Sequence, residues 1–149
     1  MSEFIQIQPG DDIAKVIKAA FDADLQVTGE WGYTQDLASV IENSAQVKQL
    51  EHTLASMRAY IEMNMTLEKE KRYGSINLNE KDREEIKDEE GLFHKVSYEV
   101  SAMKEDVYAD FINEYKQGHA TVGFDIGDHF KRRKEATLIR DIIYWFRIT

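Results

Sequence analysis

The apolar residues of this chain recur mostly at helical spacing. Ile13, Val16, Ile17, Ala20 and Phe21 stand at offsets 0, 3, 4, 7 and 8, one face of a three-turn helix. Asp11 or Asp12 precedes it as a cap. A longer stripe opens after Thr34 with Leu37, Val40, Ile41, Val47, Leu50, Leu54, Met57 and Ile61. Val40, Val47, Leu54 and Ile61 repeat every seven residues, the spacing of a coiled-coil seam. Asn43-Ser44 marks a kink or a fresh cap, and the basic turn before Tyr73-Gly74 is a helix stop. Beyond the connector Ser75–Leu78, Asn79 caps a second charged and then apolar stretch. Phe93, Val96, Val100, Met103, Val107, Phe111, Ile112 and Tyr115 form its stripe, with Gly91 bending it and Gly118 ending it.

Alternation is confined to short segments. Phe4-Ile5-Gln6-Ile7-Gln8 reads as an edge strand stopped by Pro9-Gly10. Leu25–Thr28 reads as a second strand, and Val122, Phe124 and Ile126 alternate like a third. Asp128 then caps a last helix that runs through Phe146, with Ile142–Phe146 apolar on nearly every side and therefore buried.

Together these patterns predict a mainly α fold. Its centre is a long antiparallel helical hairpin, coiled-coil-like, over residues 34–118. A strand–helix–strand element over 1–33 and a strand–helix element over 119–149 pack on it, and their strands can pair into a small sheet. The whole of 1–149 is one domain.

Composition narrows the function. The chain has 149 residues, one proline and no cysteine, so disulfides, thiolate metal sites and cysteine nucleophiles are excluded. No apolar run approaches the ~20 residues that span a bilayer, and the N-terminus lacks a signal-peptide pattern. A cytoplasmic protein without membrane contact is the expectation. The formal charge is −9, and residues 1–118 carry 24 acidic against 13 basic side chains. An acidic body disfavours direct nucleic-acid binding and favours a basic protein partner.

The expected partner-binding residues are Asp88, Glu89, Glu90, Glu105, Asp106 and Asp110 on a negatively charged helical face, with Trp31 as an aromatic anchor. Lys131, Arg132, Arg133 and Lys134 form a basic patch suited to pairing with acidic residues of the same or a neighbouring chain. His119, Asp125, Asp128 and His129 are candidate metal ligands, but their spacing matches no known ligand pattern. No Walker A, G-x-S-x-G or G-x-G-x-x-G motif is present, and neither a catalytic residue nor a cofactor is predicted.

The leading expectation is a non-enzymatic acidic binding module of inhibitor, immunity or adaptor type, such as a phage or mobile element encodes. One alternative is an assembly subunit that forms homo-oligomers through helical packing. Another is a metal-dependent nucleotide hydrolase using helix carboxylates such as Glu84, Glu85, Asp88 and Glu89.

Overall fold

The computed structural model describes residues 4–118 and 121–149. Its elements in chain order are α1 (Ile13–Phe21), β1 (Thr28–Gly29), β2 (Ser39–Ile41), α2 (Val47–Tyr60), β3 (Tyr73–Asp88), β4 (Gly91–Lys104), α3 (Glu105–Gly118), α4 (Ile126–Glu135) and β5 (Leu138–Ile148). The strands form one five-stranded sheet in the order β1-β2-β5-β4-β3. β2 and β5 run parallel; the other neighbours are antiparallel.

The protein is therefore not a helical hairpin with a coiled-coil seam. The sheet is its centre, and the two tracts that overturn the expectation are β3–β4 and β5. Seven is an odd number, so strand residues seven apart lie on opposite faces. Phe93 and Val100 repeat at seven and are both buried, one on each face of β4. The period that governs β4 is two: Val96, Tyr98, Val100 and Ala102 are buried in alternation. β5 is central, and its continuous apolar run is that of a strand covered on both sides in part. Ile142 is 5% exposed and its neighbour Ile143 44%, which a strand's alternation explains.

The β3–β4 hairpin turns on Glu89-Glu90, with Asp88 and Gly91 paired at its base. The Asp88 carboxylate accepts the Glu90 N–H at 2.8 Å, an Asx turn. Gly91 follows at φ +133°, a conformation that excludes most side chains. The sequence expectation of a helix bent at this glycine becomes a strand–turn–strand.

Helical spacing holds elsewhere. α1 begins on Asp12, whose side chain accepts the Ala14 N–H, and buries Ile13 and Ile17. α2 occupies the later half of the first long stripe and buries Leu54, Ala55 and Ala59. These residues join Val96, Tyr98, Val100, Ile142, Tyr144, Phe146 and Ile148 in one core. α3 ends at Gly118 as expected, but it covers only the last four of the eight residues of the second stripe.

The short expected strands are corrected too. Residues 4–8 form no strand, and the second expected strand survives only as Thr28–Gly29. Phe124 lies in a turn, and Asp125 rather than Asp128 caps α4, accepting the Asp128 N–H at 3.0 Å. No helix among the described residues is long and apolar enough to cross a membrane.

The alternation in β5 is directly testable. Ile142→Ala should destabilise by about 2–4 kcal/mol in urea unfolding, whereas Ile143→Ala should cost under about 1 kcal/mol. Equal losses would contradict the strand.

Candidate functional site

Charged residues occupy the core side of α2. Glu51 and Arg58, and Glu62 in the π-turn Ile61–Met65 that continues the helix, are spaced seven and four apart and share its inner face. Their exposures are 0%, 2% and 2%. Buried charges survive only when paired and hydrogen-bonded, so each organises a network.

Arg58 is the most constrained. Its Nη1 donates to the Trp31 carbonyl at 3.0 Å and its Nη2 to the Ile143 carbonyl at 2.8 Å. Its guanidinium lies 4.3 Å from the Tyr33 ring centre and 4.5 Å from that of Tyr144. Burial lowers its pKa from the usual arginine value, and Glu62 opposes that shift. Glu62 accepts a short hydrogen bond from the Tyr33 hydroxyl, which in turn accepts the Ile7 N–H at 3.0 Å. Burial, then the Glu62 carboxylate, pushes the Tyr33 phenol well above its ordinary value.

Arg140 of β5 closes the group. Its Nη1 is 3.0 Å from Glu62 Oε1, yet neither atom has an aligned hydrogen bond. Its guanidinium lies 4.4 Å from the Phe4 ring centre. Between these residues lies a cavity of about 480 Å³, lined also by Gln6 and Ile143. Its size fits a small-molecule site.

A second network surrounds Glu51, which faces β3 and β4. Arg83 Nη2 reaches it at 2.9 Å and His94 Nδ1 at 2.7 Å. Arg83 also holds Glu80 at 2.7 Å. This network ties α2 to the sheet.

The expected partner-binding carboxylates do not share a helical face. Asp88 ends β3, and Glu89-Glu90 are the hairpin turn. Glu105 and Asp106 open α3, and Asp110 lies further along it. The two groups sit at opposite ends of β4, about 40 Å apart along an extended strand of that length. Trp31 is corrected as an anchor: it is buried in the core.

Of the basic patch, Arg132 pairs with Glu114 and with Asp128 at 2.9 Å, while Lys131 and Lys134 are exposed. Arg133 lies 5.9 Å from the Tyr108 ring centre. The pairing is within the chain: Glu114 joins α3 to α4, and Asp128 lies one turn back on α4. Arg132 first, then His129, holds the Glu114 carboxyl down to about 2.

Of the candidate metal ligands, His119 lies outside the described residues. Asp125 is the cap of α4 and Asp128 pairs with Arg132. His129 is fully buried among the rings of Phe111, Tyr115, Phe124 and Phe130, with Nδ1 3.2 Å from Glu114. Among the described residues no group of three or more His, Cys, Asp or Glu side chains is placed to hold a metal ion. The carboxylates expected on one helix, Glu84, Glu85, Asp88 and Glu89, stand on a strand and its turn, where helical i, i+4 pairing does not operate.

Fold and networks define an α/β protein with a mixed sheet and a buried charged helix face. No family model matches the chain, and no curated protein or solved structure is significantly similar to it.

Sequence reasoning missed Tyr33, Glu51, Arg58, Glu62 and Arg140. The available signal was charge inside the apolar stripe: Glu51 and Arg58 flank Leu54 at three and four residues.

Burial also raises the phenols of Tyr98 and Tyr144 well above their ordinary value. A group whose folded pKa is raised contributes stability that is complete below its unfolded pKa and lost above it. Stability should therefore fall as pH rises past about 10. Tyr144→Phe should shallow that slope in urea unfolding; an unchanged slope would contradict the assignment.

Proposed function

We propose that this chain is a binding module that engages a basic protein partner along the acidic outer edge of its sheet. The observation that carries this reading is the state of charge on β3. Residues 80–90 hold seven carboxylates and three cations. Two of those cations are engaged: Arg83 is shared between buried Glu51 and Glu80 of the strand, and Lys81 lies 3.7 Å from Glu99 and 3.5 Å from Asp141. Asp82, Glu84, Glu85, Glu89 and Glu90 are left exposed along the edge strand and its turn.

Such an edge repels phosphates and steers cationic proteins toward it. β3 also borders no other strand on its outer side among the described residues. An extended basic segment can pair its backbone with β3 while its Lys or Arg side chains meet the carboxylates. Inhibitor, immunity and adaptor proteins act by this kind of contact.

A second reading is self-assembly. Ile139 and Ile143, 54% and 44% exposed, lie on the face of β5 away from the core. This apolar strip supports association through the sheet face rather than through helices.

The test is capture from the native cell's lysate at low and high salt, with the triple variant Glu84→Gln, Glu89→Gln, Glu90→Gln beside the wild type. A stoichiometric partner, released by salt and retained at least ten-fold less by the variant, is the expected result. Equal retention by both proteins would contradict the acidic edge as the binding surface.

A further inference from the structure

We propose that the cavity between the end of α4, Tyr108 of α3 and one end of the β3–β4 ladder binds a phosphate group, with Arg133 and Lys134 as its counter-charges. The first argument is charge. This cavity of about 200 Å³ has both cations in its wall and no carboxylate. Neither cation has an ion-pair partner among the described residues, whereas Arg132 beside them is held by Glu114 and Asp128. Glu105, three residues before Tyr108, accepts from the Asn64 side chain at 3.0 Å and does not line the cavity. Arg133 is half-buried, so its missing counter-charge costs more than it would on an open surface. Two adjacent cations are balanced by one dianion.

The cations are not needed to finish their helix. The carbonyls of the last turn of α4 are already met: Arg132 by the Ala136 N–H, Lys134 by the Thr137 N–H and Arg133 by the Thr137 hydroxyl.

The second argument is unused hydrogen-bonding capacity. The hydroxyls of Ser75, Ser101 and Tyr108 line the cavity and have no hydrogen-bond partner among the described residues. The Asn77 amide reaches only the Ser75 carbonyl, at 3.5 Å. A phosphate group carries enough acceptor oxygens to take these donors together with the parallel N–H groups of a guanidinium. A carboxylate has only two oxygens and one charge.

The third argument is local geometry. The Arg133 guanidinium lies 5.9 Å from the Tyr108 ring centre and 5.6 Å from that of Phe130, which limits where it can point. The β3–β4 register shifts between Gly74 and Asn77, and Ser75 there has φ +52°, an uncommon conformation for a residue with a side chain. The cavity is smaller than the sites that enclose whole organic ligands. It fits free inorganic phosphate or the phosphate of a small monoester whose organic part stays outside. It lies at the opposite end of β3 from residues 80–90, so this proposal and the acidic edge can fail separately.

The test titrates the full chain in chloride buffer with inorganic phosphate, glycerol phosphate and acetate by calorimetry. Saturable one-to-one binding of a phosphate, about ten-fold or more tighter than acetate, is expected. Tighter binding of glycerol phosphate identifies a monoester as the source, and tighter binding of inorganic phosphate identifies the free anion. Arg133→Gln should weaken binding about ten-fold or more. Ser101→Ala should weaken it about three-fold and leave the urea midpoint unchanged, because the hydroxyl it removes has no partner. Lys116→Gln, which removes an exposed cation of α3 outside the cavity, should bind as the wild type does. Circular dichroism establishes that each variant is folded, and the ligand series with Ser101→Ala decides the matter if Arg133→Gln is not. Absence of saturable phosphate binding, equal affinity for acetate, wild-type affinity in folded Arg133→Gln or in Ser101→Ala, or an equal loss in Lys116→Gln would each overturn the proposal.

Discussion

The buried guanidinium of Arg58 is the constraint from which the rest of the interior follows. A charge taken out of water costs several kcal/mol unless the protein replaces its hydration. Here two carbonyls do so, one from the loop before β2 and one from β5, between two tyrosine rings. One partner lies 27 residues before Arg58 and the other 85 after it, so satisfying one side chain fixes loop, helix and central strand together. Gly32 is part of this closure. At φ +73° its missing Cβ would lie 2.2 Å from the Tyr144 ring, so the loop can approach β5 only with glycine there. The Tyr144 hydroxyl in turn meets the buried Ser39 hydroxyl of β2 at 2.6 Å.

The same economy of charge shapes the surface. Glu51 sits under the sheet and recruits Arg83 and His94 from β3 and β4. Arg83 is thereby shared between the core and Glu80 of the edge strand, and the other carboxylates of that strand receive none of its charge. Lys81 is likewise engaged across the opposite face with Glu99 and Asp141. The acidity of β3 and its turn comes from seven carboxylates against three cations, one of which also serves the interior. An acidic edge also guards a long exposed strand against pairing with copies of itself, so the same residues select against one partner and for another.

Part of this was legible in the sequence. α1 and its Asp12 cap, the helicity of 47–60 and the stop at Gly118 follow from spacing and cap chemistry. The sheet was hidden because seven-residue spacing in 93–107 suits a helical stripe, while the governing alternation of Val96, Tyr98, Val100 and Ala102 was masked by burial of Phe93 and Met103 on the other face. β3 was hidden by composition: Asp, Glu and Lys disfavour strands in general but suit an exposed edge. The exposed acids of the candidate surface could be named from sequence, though their arrangement could not. The buried charges could not be found by looking for apolar faces. The face that α2 buries, Glu51, Leu54, Ala55, Arg58, Ala59 and Glu62, is rotated from the apolar stripe of Leu50, Leu54, Met57 and Ile61 toward charged residues.

Arg58 holds the loop before β2 against β5, and amide hydrogen exchange by NMR tests this most directly. The Trp145 N–H donates to the Gly32 carbonyl at 2.8 Å and the Gly32 N–H to the Leu37 carbonyl at 2.7 Å, so both amides report on that contact. In the wild type both should be strongly protected. In Arg58→Lys, which keeps the charge but cannot span both carbonyls while stacked, these two amides should exchange at least ten-fold faster relative to those of α1. Unchanged relative protection at Gly32 and Trp145 would show that the loop closes without Arg58 and would contradict the account.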